Sequence, residues 1–276
     1  MNALSDRFRL NNKVAIITGG AGLLGLQHAK AIAEQGGIPL LWDVDSEKSN
    51  KVAEEIRSNY GCVCEAFNVD ITDSSTVENT LTDILTRYNK VDILINNAAN
   101  DPKPSQVTPL TWARLENFTT EMWHRDLNVS VLGAFNCSKS IGIHMASTGG
   151  GVILNIASDL GIIAPDQRIY SIKGLPRNEQ PVKPVTYSVV KHAIIGLTKY
   201  LATYWAEDNV RVNSLSPGGI YTDQPEEFVN KLTSLIPMGR MAAADEYQAA
   251  VVFLVSQASS YMTGSNMVVD GGRTCW

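Results

Sequence analysis

Short apolar runs alternate with longer segments of helical period along this 276-residue chain. Val14–Thr18 (VAIIT), Ile38–Trp42, Val63–Phe67, Val91–Asn96, Val152–Ala157 (VILNIA), Arg211–Ser216 and Asn266–Val269 read as strands. Ala21–Gln35, Ser46–Asn59, Ser74–Tyr88, Met122–Met145, Val185–Trp205 and Asp245–Ser256 read as helices. A strand with one wet face alternates apolar and polar residues. These runs are near-continuous, so both faces must be covered. Strand–helix alternation at this spacing predicts βαβ units and a parallel sheet. Right-handed crossovers then give a doubly wound α/β sheet of about seven strands, with helices on both faces. No linker or repeat interrupts residues 1–276, so a single domain is expected. The irregular stretch is Pro165–Pro184 (PDQRIYSIKGLPRNEQPVKP), an insertion rich in Pro and charge.

The first unit carries a sharper signal. Strand Val14–Thr18 runs directly into TGGAGLLG, residues 18–25, and a helix follows. Gly20, Gly22 and Gly25 satisfy GxGxxG in the strand–turn–helix setting that gives the pattern meaning. Backbone must come close to a pyrophosphate whose charge sits over the helix N-terminus. A Rossmann-type dinucleotide site is therefore expected. Asp43, in LLWDVD, stands 18 residues past Gly25 at the end of the second strand. A carboxylate there accepts hydrogen bonds from ribose hydroxyls and repels a 2′-phosphate. No Lys or Arg lies in the turn or directly after Asp43, so NAD is favoured over NADP. Asp45, the competing carboxylate, is read as starting the next helix with Ser46. A turn without ligand is the alternative.

Composition excludes other classes. The chain is 44% hydrophobic and 18% charged, which is globular rather than disordered. A net charge of −5 does not suit a phosphate-backbone binder, so nucleic acid is not an expected partner. No apolar run reaches the roughly 18 residues needed to span a bilayer. MNALSDRFRLNN lacks the apolar core of a secretory signal. Cys62, Cys64, Cys137 and Cys275 show neither CxxC spacing nor a nearby His, so no metal site is expected. Reduced thiols and a cytoplasmic setting follow. His28, His124, His144 and His192 are scattered and receive no role.

Tyr187 and Lys191 lie four apart in TYSVVKHAIIGLTKYLA, on one face of a helix. Tyrosine titrates near pH ~10 and is a poor base at neutrality, whereas a nearby ammonium stabilises the phenolate. Such a pair can relay a proton to or from an alcohol oxygen while a nicotinamide exchanges hydride. The spacing alone is ordinary on helix surfaces. Here it belongs to an ordered series: TGGAGLLG, FNVDITD, Asn96-Asn97-Ala98-Ala99, DLNVSVLGAF, LNIASDLG, YSVVK, VNSLSPGGIYT and MTGSNMVVDGG. The series resembles the short-chain dehydrogenase/reductase family in its compact single-domain branch, from about Lys13 to Gly272.

The resemblance implies an NAD-dependent oxidoreductase interconverting a secondary alcohol and a ketone. It implies that Tyr187 is the acid/base and that Lys191 is its tuning partner and a ribose ligand. Ser158 would orient the reacting oxygen, and Asn128 would hold a water linking Lys191 to solvent. Cofactor contacts fall on Gly19, Gly22, Leu24 and Gly25 of the turn. Further contacts fall on Asp43, Asp70, Ile71, Asn97, Ala98, Pro217, Gly218, Ile220 and Thr222. Asp270-Gly271-Gly272 is expected to be structural. Tyr170 has Gly174 rather than Lys four positions on, and is a decoy. The helix Tyr187–Trp205 and the segment Tyr261–Gly272 resemble the family's interface elements, implying a homotetramer or homodimer.

One departure stands out. TGxxxGxG, usual in the compact branch, would put glycine where this chain has Leu23; Gly22 gives the TGxxGxxG of the extended branch. Two alternatives remain open: an NADPH-dependent ketoreductase, and a non-catalytic cofactor-binding partner subunit. Ser158 and Tyr187 are 29 residues apart, a long interval that contains the insertion. Its cations Arg168, Lys173, Arg177 and Lys183, with Lys103 after NNAA, suggest a site for a phosphate or carboxylate. Lys103, Arg168, Arg177 and Ser158 are the expected substrate contacts. TGGAGLLG, NNAANDPK and YSVVKHAIIGLTKYLATYWA also look similar to dehydrogenases of flagellin-modification and surface amino-sugar pathways. That likeness implies a sugar or sugar phosphate.

Overall fold

The computed structural model describes residues 3–100 and 111–276. Seven strands form one parallel sheet: β1 (Val14–Thr18), β2 (Ile38–Asp43), β3 (Glu65–Asn68), β4 (Ile93–Asn96), β5 (Gly151–Ile156), β6 (Val210–Pro217) and β7 (Asn266–Val269). Their order is β3-β2-β1-β4-β5-β6-β7, the expected doubly wound arrangement. The helices are α1 (Leu23–Glu34), α2 (Ser46–Tyr60), α3 (Ser74–Tyr88), α4 (Thr120–Leu127), α5 (Gly133–Ser147), α6 (Val185–Tyr204), α7 (Glu226–Thr233) and α8 (Gln248–Val255).

Two-sided burial explains the apolar runs. Ala15 and Ile17 of β1 point into one core layer with Ile32 of α1, Ile56 of α2 and Val251 of α8. Val14 and Ile16, alternating with them, point into the opposite layer with Ile84 of α3, Ile141 of α5 and Leu201 of α6. Every residue of β1 is buried. Two asparagine amides buried in the sheet link neighbouring elements. Asn96 donates to Asn155 Oδ1 at 2.8 Å, and Asn155 donates to Thr198 Oγ1 on α6 at 2.9 Å.

Local chemistry sets the helix ends. The Asp45 carboxylate accepts the Lys48 N–H at the start of α2, so Asp45 is the cap and Ser46 the first helical residue. Asp73 caps α3 in the same way, and Asn89, at φ +60°, ends it. Three expectations are corrected. The third strand begins at Glu65, leaving Cys62 and Cys64 in the approach to it. The single helix expected over Met122–Met145 is α4 and α5 joined by a π-helical turn, Asn128–Leu132. Helix α7 falls where the sequence reading placed nothing. Burial pushes the Cys64 thiol up to about 12, consistent with a packed, protonated side chain.

His28 on α1 is fully buried, and desolvation pushes its imidazole down from 6.5 to about 4, opposed in part by the Asn97 side chain. Between those values the unfolded chain binds a proton that the folded chain refuses. The contribution of neutral His28 is present above pH 6.5 and lost as pH falls toward 4. The loss across this window is roughly 3 kcal/mol for this group. Urea unfolding on both sides of the window should show it, and His28→Gln should flatten that part of the pH dependence.

Candidate active site

The carboxyl ends of the strands open into a cleft of about 820 Å³ at the point where strand order reverses, between β1 and β4. The glycine turn forms one wall. Gly19 has φ +63°, and a Cβ there would lie 2.9 Å from Ala98 Cα. A Cβ at Gly25 would lie 2.2 Å from Gly19 O, so α1 packs directly on the turn through that position. Gly22 is different. Its backbone is extended (φ −74°, ψ 170°), it precedes the first residue of α1, and a Cβ there would approach Gly19 O at 3.1 Å. Close approach therefore falls on Gly19, Gly20 and Gly25. Leu23 opens α1, is 46% exposed and lines the cleft.

Asn97 fastens this wall. Its Nδ2 donates to Thr18 O at 3.0 Å and Gly19 O at 3.2 Å, while its N–H and that of Ala98 donate to Thr18 Oγ1. The expected cofactor contact is thus a brace of the turn as well as a lining residue. Asp43 ends β2 with its carboxylate accepting the Ala21 and Asp45 N–H groups at 2.9 and 3.0 Å. Asp70 also lines the cleft, folded onto the Thr72 N–H and hydroxyl. Ile71 is fixed by Asn136 of α5, which donates to its carbonyl at 2.9 Å. The turn residue Leu24 lines the cleft, as do Pro217, Gly218, Ile220 and Thr222. Gln224 braces the last two, accepting the Thr222 N–H and donating to Ile220 O.

Tyr187 and Lys191 project from α6 into the same cleft, and Ser158 follows β5. Tyr187 Oη lies 3.5 Å from Ser158 Oγ. Lys191 is 7% exposed, and its Nζ donates to Ile156 O at 2.9 Å, which anchors the ammonium at the end of β5. The sequence reading missed what stands behind Ser158. Its hydroxyl donates to Asp159 Oδ1 at 2.7 Å, and Asp159 Oδ2 accepts from Arg273 Nη1 at 2.8 Å. The two charged side chains are 4% and 6% exposed. The Asp270 carboxylate accepts the Gly272 and Thr274 N–H groups, folding the segment that delivers Arg273. The expected structural role of Asp270 takes this form. A charged residue beside each of two motifs was the available signal; their pairing across 114 residues was not.

Asn128 does not join the site. It is exposed and does not line the cleft, whereas Ser130, two residues on, is 3% exposed with no hydrogen-bond partner for its hydroxyl among the described residues. The π turn that starts at Asn128 widens the helix and shifts which residues face inward, a phase change that regular helical spacing does not anticipate.

The substrate contacts are also redrawn. Lys103 lies outside the described residues. Arg168 does not line the cleft; it is 87% exposed and paired with Asp166, whose carboxyl it holds at about 2. Arg177 is exposed, and its carbonyl accepts from Arg114. The insertion contributes Tyr170 and Lys183 to the cleft instead. Tyr170 packs on Phe228 of α7 with ring centroids 5.6 Å apart, so the catalytic decoy is a wall of the site. Lys183 Nζ sits 3.7 Å from the centroid of the Tyr187 ring.

Arg273→Met would leave the Asp159 carboxylate buried without its partner. Urea unfolding should show a loss of about 3–5 kcal/mol. The double variant Asp159→Asn/Arg273→Met should regain part of it.

Comparison with known proteins agrees with this geometry. The family model for short chain dehydrogenases matches residues 13–232. An NAD-dependent glycerol dehydrogenase from Listeria innocua is 34% identical over 97% of this chain and 96% of its own length. An NADP-dependent mannitol dehydrogenase from Alternaria alternata is 32% identical over 98% and 95%. Among solved structures, a gluconate 5-dehydrogenase from Burkholderia cenocepacia, in complex with NADP and tartrate, superimposes with a TM-score of 0.85 at 29% identity, covering 100% of both chains. Turn, serine, tyrosine and lysine lie in one cleft, and the match runs through most of the sequence: this chain belongs to the short chain dehydrogenase family.

Proposed function

We propose that the protein is an NAD-dependent oxidoreductase interconverting a secondary alcohol and a ketone on a polyol or sugar. The observation that carries this is the meeting of Tyr187 and Ser158 at 3.5 Å, with the Lys191 ammonium buried on the same helix. The cleft fits a dinucleotide. Its turn excludes side chains at Gly19 and Gly25, and the first N–H groups of α1 have no helical partner. Leu23 and Leu24 would face the pyrophosphate, Asp43 the adenosine ribose, and Ile220 and Thr222 the carboxamide. When bound, the nicotinamide supplies or accepts hydride.

The chain's own groups handle the proton. Tyr187 takes it from the alcohol or returns it to the ketone oxygen. Lys191 stabilises the phenolate form. Ser158 would hold the reacting oxygen by turning its hydroxyl proton from Asp159 Oδ1 toward it. Asn128, exposed, is replaced in this scheme by Ser130, whose buried hydroxyl is available to a water. Selection of NAD over NADP rests on charge. Among the described residues, Asp43 and Asp45 line the adenosine end with one ammonium, Lys48, an environment that disfavours a 2′-phosphate.

The named relatives act on glycerol, mannitol and gluconate, which supports polyhydroxylated substrates over steroid or acyl chains. A surface-sugar intermediate, as the flagellin-modification likeness implies, is the finer form of this proposal. Homotetramer or homodimer assembly is supported by exposed Phe135 and Ile143 on α5 and Tyr200 and Tyr204 on α6. A cytoplasmic setting completes the proposal; no helix among the described residues is long and apolar enough to cross a membrane.

Tyr187→Phe should lower turnover of a polyol and sugar panel by about 10²–10⁴-fold while leaving NADH affinity nearly unchanged. Retained turnover would reject the assignment. Calorimetric titration should show tight NADH binding and weak NADPH binding. The reverse order would assign the NADPH reductase reading, and binding without turnover the partner-subunit reading.

A further inference from the structure

Tyr187 is the third residue of α6, in the first turn of that helix. A first turn is the weakest part of a helix. Its N–H groups have no carbonyl one turn earlier, so it frays unless something outside the helix holds it. Helix α6 begins after Pro184 without a side-chain cap. A hold on this turn comes from α4. Thr186, buried and one residue before Tyr187, donates its hydroxyl to Asp126 Oδ2. Asp126 is also buried, and its Oδ1 accepts from Asn100 Nδ2 at 2.6 Å. Asn100 directly follows Asn97, Ala98 and Ala99, which line the cleft where Asn97 braces the glycine turn.

We propose that Asp126 is a positioning residue for Tyr187, acting through Thr186. One buried carboxylate holds the cofactor wall on one oxygen and the first turn of the acid/base helix on the other. This rests on the reading of Tyr187 as the acid/base. A side chain that transfers a proton must keep its oxygen within hydrogen-bond reach of the oxygen it serves, and a misplacement of about 1 Å is costly. Tyr187 Oη stands 3.5 Å from Ser158 Oγ, at the edge of that reach. A first turn that loosens carries Tyr187 out of register with Ser158.

The residue types fit this task. The Asn100 amide and the Thr186 hydroxyl both donate, and a carboxylate is the side chain that accepts from both at once. Both donors are neutral. The negative charge lies beside the N-terminal turn of a 20-residue helix, where the aligned peptide dipoles favour it. The bracket joins three segments far apart in the chain: the exit of β4, the end of α4 and the start of α6.

Two substitutions at Thr186 separate positioning from packing. Thr186→Val keeps the shape and loses the hydrogen bond, whereas Thr186→Ser keeps the bond and loses a methyl group. On the polyol and sugar panel, Thr186→Val should lower kcat by about 10–10²-fold with KM and NADH affinity nearly unchanged, and Thr186→Ser should stay near the parent. The opposite ranking is the packing result and overturns the proposal, as does parental kcat in Thr186→Val. Crystal structures of both variants give a readout without substrate. The separation of Tyr187 Oη from Ser158 Oγ should lengthen beyond hydrogen-bond reach in Thr186→Val and return in Thr186→Ser; an unchanged separation in Thr186→Val overturns the proposal. Asp126→Asn is an independent variant, with circular dichroism reporting that each variant is folded. It turns one acceptor into a donor and should lower kcat with the same split, and parental kcat in it counts against the proposal. Turnover of Tyr187→Phe separately decides the acid/base reading, while the crystallographic separation decides the bracket, so the two failures are distinguishable.

Discussion

Asn97 and Thr18 tie the end of β4 to the end of β1, and the working half of the molecule is built on that tie. Strand order reverses between these two neighbours, so the chain leaves them in opposite directions and opens the cleft. An opening of this kind needs its rim fixed, because turn backbone at the mouth lacks ladder partners. The Asn97 amide satisfies the Thr18 and Gly19 carbonyls, and the Thr18 hydroxyl accepts two N–H groups in return. Gly19 can then approach Ala98 and Gly25 can approach Gly19 without a side chain between them.

Charge is distributed unequally along the cleft. Carboxylates dominate the end beside β2 and β3, while ammonium and guanidinium groups gather at the end beside β5. At the second end every charge has a stated restraint: Lys191 on a strand carbonyl, Arg273 on Asp159, and Lys183 on the Tyr187 ring. Such a site is organised before any ligand arrives, which is the condition for electrostatic stabilisation without reorganisation.

The fold was legible because burial on both faces writes strands as apolar runs, and the bounds of β1, α3 and β7 coincide with the expected ones. The turn, Asp43, Ser158, Tyr187 and Lys191 were legible because each sits in a local motif. What failed was non-local or broke regular period. Asn128 was assigned from its motif alone, yet it is exposed, and the buried polar side chain of the π turn is Ser130. Arg168 and Arg177 were chosen by charge, yet an irregular loop carries no periodicity that says which cations face inward. Lys183, in the same loop, does. Asp159 and Arg273 pair across 114 residues, a contact that neither neighbourhood announces. Helix α7 is short, and its burial depends on the small cluster of Ile169, Ile236 and Met241 around Leu232.

The same long-range pair orders events during synthesis. A chain emerges from its N-terminal end, so the glycine turn, Ser158 and the Tyr187 helix all leave the ribosome before Arg273. Until that residue arrives, Asp159 has no guanidinium to neutralise it, and seating it in the core is unfavourable. The surroundings of Ser158 are therefore complete only once the segment carrying Arg273 has been made. A nascent chain that has not yet reached Arg273 carries the glycine turn but holds Ser158 beside an unmatched carboxylate.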